Sequence, residues 1–146
     1  MNRPIAQTVV HAHQTDDSVT LTYEARFLRR KVLTSDGGTE FLVDLDKTTS
    51  LNAGDALVFE DGRKIAVLPA SEALLEISGA SLVRLAWHIG NRHMPCQIED
   101  TRLLIQRDHV IRDMLEKLGA DLRDVTEPFT PEGGAYGHGR THSHAH

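Results

Sequence analysis

Four histidines fall within the last nine residues, His138, His142, His144 and His146, in the run Gly-His-Gly-Arg-Thr-His-Ser-His-Ala-His. Neutral imidazole is the commonest protein ligand for borderline divalent cations, and small residues between histidines let a chain wrap a coordination sphere without side-chain clashes. Side chains two apart in an extended segment point the same way, so His142, His144 and His146 can converge on one ion, with His138 folding back as a fourth donor. The plainer alternative is an expression tag or a solvated tail, and the irregular spacing argues against a purification tag. Imidazole titrates near ~6.5, so protons displace such an ion as the pH falls through that region. Ligand chemistry alone does not choose the ion, because imidazole sites accept Zn(II) and bind Cu(II) still more strongly.

Elsewhere the histidines are sparser. His93 closes Gly90-Asn91-Arg92-His93, just past a helical stretch. One imidazole holds a metal weakly, but a two-fold axis passing beside His93 makes a two-imidazole site from a single residue. The competing role is a side chain that settles the negative end of the helix dipole. His109 follows Asp108 at the start of a second helix, where the N-terminal dipole repels a cation, so it reads as an auxiliary or surface residue. His88, beside Trp87, reads as packed, and His11 and His13 read as solvated. Cys96 reads as small core filler. The run Arg26-Phe27-Leu28-Arg29-Arg30-Lys31 reads as a charged strand face or edge, with an acidic protein partner as the alternative. Neither Gly-x-Ser-x-Gly nor a phosphate-binding glycine loop occurs, and Cys-x-x-Cys and His-Glu-x-x-His are absent too, so the chain is read as a non-enzyme.

The body that must position these groups is an ordinary globular one. The chain has 146 residues, 40% of them hydrophobic and 25% charged, and a net charge of -5. That sign disfavours nucleic acid, which needs collected Lys and Arg. A single cysteine excludes an internal disulfide, and no apolar run approaches a membrane span, so a cytoplasmic protein is expected, with no membrane partner.

From Val19 to Val67 the pattern is short alternating runs, parted by Asp36-Gly37-Gly38, Asn52-Ala53-Gly54-Asp55 and Asp61-Gly62, where glycine supplies positive φ. This predicts a β-module of hairpins over residues 1–70, with Pro69-Ala70-Ser71 as a hinge. Beyond it come a strand at Leu74–Ile77 and a helix capped by Ser81, with Leu82, Leu85, Ala86 and Ile89 inward until Gly90 ends it. Strands at Cys96–Ile98 and Arg102–Gln106 follow. A helix capped by Asp108 then carries Val110, Ile111, Met114, Leu115 and Leu118 on its inner face until Gly119, and a last strand runs near Leu122–Phe129. Strand-helix-strand-strand-helix-strand is the split βαβ order. The fold class expected is therefore α+β: a small β-rich N-terminal domain, a ferredoxin-like (βαββαβ) domain over 71–135, and a flexible His-rich tail over 136–146. Fully extended, that tail reaches on the order of 33 Å.

Three ordered motifs carry a family resemblance. Trp87-His88-Ile89-Gly90-Asn91-Arg92-His93-Met94-Pro95, Asp108-His109-Val110-Ile111-Arg112-Asp113-Met114-Leu115, and Pro128-Phe129-Thr130-Pro131-Glu132-Gly133-Gly134-Ala135-Tyr136-Gly137 before a histidine-rich end resemble the UreE family of nickel chaperones for urease. The likeness is sharp from Ser71 onward and looser before it, where Leu51-x-x-Gly54-Asp55-x-Leu57 is the best anchor. It implies a homodimer with a peptide-binding-like N-terminal domain, and a nickel ligand at the dimer interface that falls on His93. The implied recipient is the urease apoprotein maturation complex, particularly its accessory GTPase. A peripheral His-Asp-His of some relatives falls on Arg107-Asp108-His109, one imidazole short. The rival to a dedicated nickel carrier is a general Ni/Zn/Cu buffer in which the tail alone binds.

Overall fold

A computed structural model describes residues 3–79 and 81–133 of the chain. The chain divides into two compact units, with the boundary between Ala70 and Ser71. The first is β-rich and the second mixes strands with two helices.

The first unit is a six-stranded sheet of β1 (Ile5–His11), β2 (Asp17–Leu21), β3 (Phe27–Thr34), β4 (Glu40–Ser50), β5 (Asp55–Phe59) and β6 (Lys64–Pro69), in the order β2-β6-β5-β1-β4-β3. Alternation explains which side is buried. In β4, Phe41, Val43 and Leu45 point inward, and Phe41 packs against Phe59 of β5 with ring centroids 5.1 Å apart. The unit is not built of hairpins alone. β3–β4 and β5–β6 are antiparallel neighbours, but β1 pairs with β4, and β2 with β6, in parallel. Parallel pairs require crossovers rather than tight turns, and local sequence does not announce them. β1 is an addition to the expected set of strands. Its register shifts between Ala6 and Thr8, which breaks the period-two pattern.

The basic run lies on the edge strand β3, with Arg29, Arg30 and Lys31 exposed. Arg26 departs from it. Its side chain is buried and donates from Nη1 to the Leu21 carbonyl at 2.8 Å, so it is a structural residue rather than part of a solvated face.

The second unit comprises β7 (Ser71–Ser78), α1 (Leu82–Asn91), β8 (Gln97–Ile98), β9 (Leu103–Gln106), α2 (His109–Lys117) and β10 (Asp121–Pro128). Its sheet order is β10-β7-β9-β8, and every neighbouring pair is antiparallel. Leu75, Ile77, Leu103 and Ile105 of the sheet bury Leu85 and Ile89 of α1 and Ile111 and Leu115 of α2. Val110, expected on the inner face of α2, is instead 62% exposed: it lies one residue before Ile111 and is turned about 100° from it around the helix. Asp108 caps α2, its Oδ1 accepting from the Val110 and Ile111 amides at 2.9 and 3.1 Å. Ser81 stands at the matching position of α1 but makes no side-chain cap.

Across the sheet, Arg102 donates to Glu76, Glu99 and Glu127 at 2.7 to 3.2 Å. These bonds hold Glu76 and Glu127 below the ordinary carboxylate range and raise Arg102 above its own.

Candidate metal centre

Helix α1 ends one residue later than Gly90 and by a different device. Gly90 is helical, and the residue with a left-handed backbone is His93, at φ 58°. The His93 amide donates to the Gly90 carbonyl at 2.9 Å, and the Met94 amide reaches back to Ile89 at 3.4 Å. This six-to-one and five-to-two pairing is the Schellman ending, which most often puts glycine where His93 stands. An L-residue there costs roughly 1–2 kcal/mol of backbone strain. Met94 and Ile89 both pack into the unit's core, so the turn is anchored. The result is an exposed histidine whose backbone, and so the direction of its Cα–Cβ bond, is set by the turn at the helix end.

The outward face of α1 leads to the same end. Val83 is 87% exposed and Trp87 62%, four residues apart on one stripe that Gly90 continues. A Cβ at Gly90 would meet nothing within 4 Å, so packing inside the unit does not require a glycine there. His88 is half-buried, its ring edge-on to Trp87 with centroids 5.0 Å apart.

His109 is the first residue of α2 and is exposed. It lines a groove of about 530 Å³ with His88, Arg92, Asp113 and Lys117. Two cations against one carboxylate disfavour an independent metal site in that groove, leaving His109 as a donor only alongside other ligands. Position 107 is committed elsewhere: Arg107 donates to the Leu74 and Val125 carbonyls, each at 3.0 Å. Cys96 offers no thiolate, because burial pushes its thiol up to about 11. Among the described residues, no three His, Cys, Asp or Glu side chains converge as a metal cluster. His138, His142, His144 and His146 lie outside the described residues. No helix among the described residues is long and apolar enough to cross a membrane.

Family models place this arrangement. Residues 4–70 match the UreE urease accessory protein N-terminal domain, and residues 72–146 match its C-terminal domain. The chain belongs to the UreE family. Among relatives named urease accessory protein UreE, that of Ruegeria pomeroyi is 66% identical over 136 residues, covering 93% of this chain and 91% of its own. That of Rhodobacter capsulatus is 56% identical over 130 residues, covering 89% and 83%. The UreE protein of Paracoccus denitrificans is 55% identical over 126 residues, covering 86% and 80%. Sequence reasoning placed His93 just past the first helix of the second unit, and the structure finds it there, two residues after Asn91. It missed the left-handed backbone there, a conformation histidine adopts more often than most residues but which the motif alone does not dictate.

Proposed function

We propose that this chain is a cytoplasmic nickel carrier, in which two His93 side chains, one from each subunit of a homodimer, hold a single Ni(II) ion. The observation that carries the proposal is the strained backbone of His93. A histidine held in the left-handed region, where glycine is favoured, costs stability, and such strain concentrates at ligand-binding sites. The stripe of Val83, Trp87 and Gly90 supports self-association through α1: two apolar side chains face solvent, and a glycine leaves room for another backbone to approach.

In this reading the second unit is a ferredoxin-like domain, supported by its strand order and its two helices on one face. The tail imidazoles of His138, His142, His144 and His146 complete or exchange the coordination of the ion, and His109 is an auxiliary donor. Incomplete coordination by two imidazoles leaves positions open, so transfer to a recipient need not break a closed cage. The recipient is the urease maturation complex with its GTPase. Zn(II) and Cu(II) compete for the same nitrogen donors.

Calorimetric titration of Ni(II) into the full chain, a tail-deleted chain and His93→Ala tests the proposal. Loss of one ion per dimer on His93→Ala, together with reduced urease activation, is the expected result. Unchanged binding in His93→Ala, with all sites lost on tail deletion, would overturn it in favour of a metal buffer.

A further inference from the structure

We propose that residues 129–132 form a strap that roots the histidine tail beside His93, with Gln97 as the residue that positions it; the inference rests on the carrier reading of His93. β10 and β8 are opposite edges of the second unit's sheet, three strand spacings or about 14 Å apart. The tail follows β10 in sequence, yet the chain leaves that edge before the tail begins. The Thr130 amide and hydroxyl both donate to Gln97 Oε1, at 2.8 and 3.3 Å, and the Glu132 amide donates to the Cys96 carbonyl at 2.9 Å. The strap thus carries the chain from one edge of the sheet to the other.

Its path follows from strand register. Gln97 pairs with Leu104, so their side chains share a face of the sheet, and alternation turns that face away from Leu103, Ile105 and the helices packed on them. Leu74 and Leu104 on that face are fully buried, and so is Phe129, which fixes the start of the strap. Gln97 is itself held: its Nε2 donates to Glu99 Oε2 at 2.7 Å, and Glu99 accepts from Arg102. The far end of the strap is fixed near the proposed ligand. Met94 and Cys96 pack into the core, and the three residues from Cys96 back to His93 span at most about 11 Å. His138 lies six residues beyond Glu132 and can reach about 22 Å from it, so a tail imidazole spans the gap with length to spare. Measured from Pro128, the same histidine is ten residues away with the width of the sheet intervening. The shorter tether raises the local concentration of imidazole at His93.

Gln97→Ala together with Glu132→Pro releases the strap, removing an acceptor and an amide donor outside the core while Phe129 stays in place. A nitroxide attached at position 138, through His138→Cys in a Cys96→Ala background, reports where the tail lies through loss of backbone amide signals in nuclear magnetic resonance spectra. In metal-free protein, signal loss should centre on residues 93–98 and should move on release toward residues 71–73, beside Pro128. This arm needs no metal, so its outcome is independent of whether His93 binds Ni(II). Calorimetric titration of Ni(II) then compares the full chain with one ending at Gly137, each with and without release. The gain in affinity that the tail confers should fall about two- to threefold on release, while the two shortened chains bind equally, a pattern that a purely structural role for Gln97 would not produce. Signal loss centred on residues 71–73 before release, or a tail-dependent gain that release leaves unchanged, would overturn the proposal.

Discussion

His93 and Gly119 occupy the same position of the same helix-ending motif. After α2 the Gly119 amide donates to Glu116 at 3.0 Å and the Ala120 amide to Leu115 at 3.1 Å, with Gly119 at φ 84°. After α1 the identical pattern runs through His93 at φ 58°. One unit thus contains both the unstrained and the strained form of one turn.

A substitution series separates strain from ligation. In metal-free protein, His93→Gly should be more stable than His93→Ala by about 1 kcal/mol, since alanine keeps the left-handed penalty and glycine removes it. Gly119→Ala should lose about 1–2 kcal/mol, although a Cβ there meets no atom within 4 Å. Urea denaturation measures all three. Equal stability of the two His93 variants would remove the argument from strain.

Gly90 sets fold stability against self-association. Because the residue is helical and unhindered, Gly90→Ala should raise the stability of the unit by about 0.5–1 kcal/mol. If α1 meets a second copy along this stripe, Gly90→Leu and Trp87→Glu should both shift the protein from twice 16.2 kDa toward 16.2 kDa in sedimentation equilibrium. A dimer that survives both changes would place the two-fold axis elsewhere.

Acid should weaken the second unit through Arg102. Glu76 and Glu127 lie below their ordinary value of 4.5 in the folded chain because Arg102 donates to them, so the unfolded chain binds protons first as the pH falls. Their contribution is complete above that value and is lost as the pH drops through it toward the folded-state titration. Arg102→Met should therefore flatten the fall in urea midpoint between about pH 6 and about pH 3. A slope as steep as that of the unaltered chain would mean other carboxylates dominate.

Cys96 should behave as a packing residue. With its thiol raised to about 11, modification by a maleimide near neutral pH should be slow in the folded chain and fast in urea. Cys96→Ala should leave Ni(II) stoichiometry unchanged, and a lost ion would make the cysteine a ligand.

The sequence was legible where the physics is local. Asp108 followed by Ile111 and Leu115 at helical spacing identifies α2, its cap and its buried stripe without reference to the rest of the chain. Glycine turns between alternating runs likewise mark β4, β5 and β6. Pairings between distant strands were not legible: the parallel contacts of β1 with β4 and of β2 with β6 depend on crossovers, and the bulge after Ala6 hides β1 itself. The same limit applied to the histidines. His93 stood out through its motif, whereas the neighbour of His11, Asp55, is set only by the register of β1 against β5.

Arg107 sets a boundary on how this corner of the molecule can change. Its guanidinium ties the main chains of neighbouring strands β7 and β10 through two carbonyl oxygens. Imidazole is too short and carries too few donors to reach both. A lineage that introduced a histidine at this position would gain a donor atom beside His109 and leave two oxygens seeking new hydrogen-bond donors, so the two designs exclude one another unless a neighbouring side chain takes over the tie.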